Sequence, residues 1–140
     1  MSRYASKKDK AIVRERAGGR CEYCKALRAF ATSHFCAEHI IPFALGGNTE
    51  LENLAYSCDI CNINKAAKIT VVDTVTGQEI PLFHPRKDQW NDHFKWDDET
   101  LRIIGITLKG QLTIQLLDMN RVEAVNLRGL LKSAGLHPPV

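Results

Sequence analysis

The chain has 140 residues, a net charge of +3, and 44% hydrophobic against 25% charged residues. That composition suits an ordinary soluble protein with one domain and a real core, and no run approaches the roughly 18 apolar residues of a membrane span. The polar, basic opening MSRYASKKDK lacks the apolar stretch of a secretory leader, so the expected setting is the cytoplasm, where thiols stay reduced and no membrane partner is called for. The charge is uneven. Residues 1–30 hold nine bases (Arg3, Lys7, Lys8, Lys10, Arg14, Arg16, Arg20, Lys25, Arg28) and three acids, a surplus of six, while the rest has ten bases and thirteen acids. A basic segment of this kind suits a phosphate-binding face, and a solvated helix surface is the competing reading.

In chain order, residues 6–17 read as a helix, with Ser6 as N-cap and Ile12, Val13 and Ala17 on one side. Gly18-Gly19 ends it, and the turn CEYC follows. Residues 33–41 are strand-like and stop at Pro42, Gly46-Gly47-Asn48 is a loop, and Leu51 to Tyr56 reads as a short helical turn. DICNINKAAK, 59–68, is a helix opening from the second cysteine pair. ITVVDTV, TGQE and IPLF spell a β-hairpin. WNDHFKW is short and aromatic, and its Trp90, Phe94 and Trp96 read as core more readily than as a base-stacking platform. LRIIGIT is strand-like, LKG reads as a turn, and QLTIQLLDMN fits both periods. Asn120 is the cap candidate for a last helix through Leu131.

Cys21 and Cys24 form CEYC, and Cys58 and Cys61 form CDIC. Two C-x-x-C pairs around one intervening stretch predict a tetrahedral Zn²⁺ site, in which each pair is a knuckle aiming two thiolates at one ion. Four thiolates fill such a site, so it is structural, and the closed loop supplies folding energy that a thin core cannot. Cys36 has no partner and reads as a small hydrophobe.

EHIIP, residues 38–42, lies between the knuckles. Taken in order, CEYC, EHIIP, GGN, LENL and SCDICNINK resemble the HNH endonucleases over about residues 15–68. The tail, with PLFHPR, WNDHF and a late GIT, more loosely resembles the extension of a small bacterial subgroup of that family. The resemblance implies an α+β fold: a ββα-metal finger braced by the four-cysteine zinc site. It also suggests a module over 1–70 with a mixed α/β extension over 71–140 packed on it as one compact unit. Carried over by position, His39 matches the general base, Asn53 the middle asparagine, and Glu38 and Asn62 the ligands of a catalytic metal. Asn53 lies fourteen residues after His39, and Asn62 nine after Asn53, as in family members whose last position is Asn.

Those residue types suit phosphodiester hydrolysis. A neutral imidazole, ordinarily titrating at about pH 6.5, takes a proton from water at physiological pH. A hard divalent cation on oxygen ligands stabilises the charge of the transition state and the leaving oxygen. Asn53 is expected to accept a hydrogen bond from the imidazole and set its tautomer. Lys65, three residues past Asn62, is expected on a substrate phosphate, with Lys68, Arg14 and Arg20 as further nucleic-acid contacts. Two departures from the commonest pattern matter: Glu38 stands where Asp is usual, and Asn62 where His is common. With no imidazole ligand, the catalytic metal is expected to be Mg²⁺ or Mn²⁺. The expectation is a nuclease, monomer or homodimer, that cuts DNA. The rivals are a zinc-knuckle module that binds nucleic acid without cutting, and a protein-interaction adaptor on the same brace. Adjacent strand residues point to opposite faces, so Glu38 and His39 share one site only at a strand end or bulge.

Overall fold

The computed structural model describes residues 4–139; Arg3, one of the N-terminal bases, lies outside them. Helix α1 spans Lys7–Arg16, and Ser6 caps it by accepting the Asp9 N–H at 3.1 Å. Val13 is fully buried against Leu54 and Tyr56, with Ala17 beside them. Ile12, expected on the same side, is exposed instead. Gly18 and Gly19 take left-handed φ values of 64° and 70° and stop the helix. The chain then reverses through the first cysteine pair, where the Cys21 N–H donates to Ala26 O at 2.9 Å and the Lys25 N–H to Cys21 O at 3.0 Å.

Strand β1, Cys36–His39, runs antiparallel to β2, Leu54–Ser57, with Glu38 opposite Ala55 and His39 opposite Leu54. β1 is shorter than the expected strand over 33–41. The expected helical turn from Leu51 to Tyr56 is a 3-10 turn only over Leu51–Asn53, and LAYS is the second strand. All four residues of β2 are buried, so no alternation marks the strand in the sequence. Helix α2, Asp59–Lys65, opens directly at the second cysteine pair, where the Cys58 sulfur accepts the Cys61 N–H at 3.4 Å. It ends at Lys65, three residues before the expected Lys68, and its C-cap Ala66 has φ of 49°. β1, β2 and α2 make the ββα finger.

Beyond it, β3 (Thr70–Val72) and β4 (Glu79–Pro81) form the expected hairpin. Helix α3 (Trp90–His93) leads into β5 (Phe94–Trp96), which pairs antiparallel with β6 (Ile103–Gly105). The LKG segment is not a turn. Thr107 caps helix α4, Leu108–Leu117, which resolves QLTIQLL as helical. Gly110, the source of the turn reading, is there for close approach: a Cβ on it would lie 2.1 Å from His93 O. Asn120 does not cap the last helix either. Its carboxamide exchanges two 2.8 Å hydrogen bonds with the backbone of Ile103. Helix α5, Val122–Ser133, starts after Arg121 without a side-chain cap.

One hydrophobic core joins Tyr23, Ala55 and the four paired cysteines to Phe83, Phe94, Ile103, Leu117 and Met119. Trp90 and Trp96 pack against it, and the Trp90 indole donates to Tyr23 O at 2.9 Å. Asn64 of α2 donates to Leu117 O of α4 at 2.9 Å. No described helix is long and apolar enough to cross a membrane.

Two helix glycines separate propensity from packing. A Cβ at Gly129 in α5 meets only Leu101 at 3.9 Å, an ordinary contact. Gly129→Ala is expected to stabilise the protein by about 0.5–1 kcal/mol, the usual helix gain. Gly110→Ala is expected to destabilise it by about 1–3 kcal/mol, because the helix gain is outweighed by the backbone clash. Urea denaturation midpoints of the two variants check the opposite signs.

Candidate active site and metal centre

The sulfurs of Cys21, Cys24, Cys58 and Cys61 all lie within 4.8 Å of one another, and each residue is buried. Cys24 Sγ and Cys58 Sγ are 3.7 Å apart. A tetrahedral zinc with Zn–S bonds of about 2.3 Å requires sulfurs about 3.8 Å apart, so the cluster has the donor set and spacing of a structural zinc site. Among the described residues it is the one group of three or more His, Cys, Asp or Glu side chains whose ligand atoms converge. Cys36 stands outside it. Burial pushes its thiol up to about 11, so it stays protonated near neutral pH.

Strand alternation separates Glu38 from His39. Glu38 turns inward and is 6% exposed. The Tyr23 hydroxyl donates to its Oε1, and Lys65 Nζ lies 3.8 Å from its Oε2. Lys65 is itself 1% exposed and donates to Ile40 O at 2.8 Å. Burial pushes the Glu38 carboxyl above the usual carboxylate range, against the pull of Lys65 and Tyr23. Burial likewise lowers the Lys65 ammonium, against the pull of Glu38. The expectation of Lys65 on a substrate phosphate is therefore corrected: it is the buried counter-charge of Glu38.

His39, at the last pair of the ladder, is half-buried, and its Nε2 lies 3.0 Å from Thr49 Oγ1. The expected contact from Asn53 is not made. Asn53 Oδ1 accepts the Ile41 N–H at 2.9 Å, and Nδ2 donates to Ile41 O at 3.0 Å and Asn48 O at 2.7 Å. Asn53 thus staples the loop that carries Thr49, and Thr49 touches the ring. Gly46 takes φ of 86° in that loop, and a Cβ on Gly47 would lie 1.8 Å from Ile41 O. Thr49 escapes a sequence reading, since a hydroxyl in a polar loop carries no signal until the loop is folded back.

A cleft of about 840 Å³ opens between α1 and the β1–β2 pair, and Glu38, His39 and Asn62 line it together with Lys10, Arg14 and Arg28. The structure therefore gathers three of the four expected catalytic residues and leaves Asn53 beneath them. Lys10 and Arg28 belong to the basic N-terminal segment, where the sequence does not single them out because each is one base among nine. Arg14 is on the cleft wall. Lys68 is exposed past the end of α2 and is not on the cleft wall. Arg20 faces elsewhere, with its guanidinium on Lys25 O at 3.1 Å and on Leu136 O. His84 Nδ1 accepts the Arg86 and Lys87 N–H groups, and His93 Nδ1 lies 2.7 Å from Thr107 Oγ1, so both are held by local structure away from the cleft.

Removing Lys65 leaves a buried carboxylate without its counter-charge. Lys65→Ala is expected to cost about 3–5 kcal/mol of stability. A phosphate-contacting lysine would instead lower nucleic-acid affinity at unchanged stability, and urea unfolding beside a binding titration separates the two.

Residues 21–71 match the family model described as HNH endonuclease. No curated protein and no solved structure matches the chain. The matched span begins at the first knuckle cysteine, contains the whole ββα finger, and ends in β3. With the four-sulfur cluster and the β1–β2–α2 arrangement in place, the segment 21–71 has the zinc-braced ββα framework that accompanies its match to the HNH endonuclease family.

Proposed function

We propose that the protein is an endonuclease that hydrolyses phosphodiester bonds in DNA, with His39 as general base and structural zinc in the four-cysteine site. The reading rests on one observation: a single cleft carries Glu38, His39 and Asn62 beside Lys10, Arg14 and Arg28, on the finger of an HNH segment. Thr49 Oγ1 lies 3.0 Å from Nε2, and the imidazole takes the proton of the attacking water. Thr49 keeps the ring aimed, and Asn53 keeps Thr49 in place by holding the loop. Lys10, Arg14 and Arg28 hold phosphates of the strand. Three such contacts correspond to a slope of about −3 in log affinity against log salt. Glu38 and Asn62 would hold a divalent cation, Mg²⁺ or Mn²⁺, which when bound supplies the positive charge that stabilises the transition state and the leaving oxygen.

The donor set, one carboxylate and one carboxamide oxygen, fits a cation that draws its other ligands from water and phosphate. Glu38 also serves Tyr23 and Lys65, so weak cation binding is expected until a phosphate contributes oxygens. The division of the chain into a finger module over 1–70 and an extension over 71–140 is part of this proposal. The core shared by Tyr23 and Ala55 with Phe94 and Leu117 supports packing of the two as one unit.

A supercoiled-plasmid nicking assay with Mg²⁺, Mn²⁺ or EDTA tests the reading. Wild type is expected to nick with metal and not with EDTA. His39→Ala is expected to lose about 10²- to 10⁴-fold in rate at unchanged thermal stability. Asn53→Ala is expected to lose activity and stability together, because three part-buried hydrogen bonds go with it. An intact plasmid under every metal, with salt-sensitive binding retained, would establish the non-cutting zinc-knuckle module instead.

A further inference from the structure

The family segment ends at residue 71, yet two guanidinium groups that touch the cysteine cluster come from residues 121 and 128. Arg121 Nη2 donates to Cys58 Sγ at 3.6 Å and to Cys24 Sγ at 3.9 Å. Its Nη1 donates to Asp118 O at 3.3 Å, which fixes the fork at the start of α5. About two turns further along that helix, Arg128 is 4% exposed. Its Nη2 donates to Cys24 O at 3.1 Å and Met119 O at 2.7 Å, and its guanidinium lies 5.3 Å from the Trp96 ring centroid.

The electrostatics give these contacts a purpose. Four thiolates around Zn²⁺ leave two uncompensated negative charges in a site whose cysteines are at most 2% exposed. An N–H donated to a thiolate offsets part of that charge and draws electron density from the sulfur. The sulfur then becomes a weaker target for the proton or oxidant that starts metal loss. Cys24 and Cys58 come from different knuckles, so one guanidinium also ties the two knuckles to each other.

We propose that Arg121 is the outer-sphere cation of the four-cysteine site and that Arg128 anchors the first knuckle's backbone. On this account, a segment outside the family match sets how slowly the finger loses its zinc. The proposal rests on the cluster binding zinc, and it does not depend on catalysis by the cleft.

The experiment first measures zinc in purified full-length protein, then follows its transfer to a chromophoric chelator for wild type, Arg121→Met and the exposed-residue control Arg102→Met. The same proteins are loaded with Co²⁺ and their sulfur-to-cobalt charge-transfer bands recorded. Wild type is expected to hold one zinc. Arg121→Met is expected to release it about 10- to 100-fold faster and to shift the cobalt bands, with Arg102→Met matching wild type. A merely structural role for Arg121 would leave the bands in place. Release at the wild-type rate with unshifted bands would overturn the proposal. If Arg121→Met does not fold, Arg121→Gln is read in the same way, and the wild-type rate and bands again overturn it. A wild-type protein that binds no zinc would overturn the reading of the four cysteines itself.

Discussion

Cys24 and Cys58, thirty-four residues apart in the chain, place their sulfurs 3.7 Å from each other. Everything nearby follows from that meeting. Cys58 is also the cap of α2, so the cluster fixes where the helix begins and in which direction it leaves the hairpin. The turn through Cys21 and Cys24 brings Tyr23 under the sheet, where its hydroxyl reaches Glu38. A finger of two four-residue strands and a seven-residue helix buries too little apolar surface to hold these angles alone. The sulfur cluster and the core contributed by Phe83, Phe94, Ile103 and Leu117 supply what the finger lacks.

Glu38 lines the cleft while its carboxylate is engaged in a buried network with Tyr23 and Lys65, and its half-buried neighbour His39 lines the same cleft. A buried Lys–Glu pair is a poor source of net stability, since desolvation offsets most of its attraction, but removing one partner is costly. That asymmetry makes Lys65 and Glu38 mutually dependent and ties the position of β1 to α2. Asn53 works by a similar indirect route, with its amide spent on the backbone at Ile41 and Asn48. The imidazole is thus oriented two steps away from the asparagine, through a loop and a hydroxyl.

Residues after the hairpin do more than cover apolar surface. Helix α4 lies against α2 through Asn64 and against α3 through Gly110, and Arg121, just before α5, and Arg128 within it reach the cysteine knuckles. The extension and the finger share a core.

The sequence alone determined the features that depend on spacing along the chain. Two C-x-x-C pairs predicted one cluster, Ser6 and Gly18-Gly19 bounded α1, and the family resemblance carried by CEYC, EHIIP, LENL and CDICN implied the ββα finger. These were legible because each needs only neighbours within a few residues, or a pattern that repeats. What tertiary structure decided depends on what lies across from a residue. LAYS is a strand because it is covered on both faces, and the glycine of LKG is a packing contact because a carbonyl of α3 passes within 2.1 Å of its missing Cβ. Lys65 went to a carboxylate, and Arg20 to backbone carbonyls, because burial makes an unpaired charge too costly to leave. Thr49 and Arg121 became visible only once folding had brought them against His39 and the sulfurs, across separations that no local pattern records.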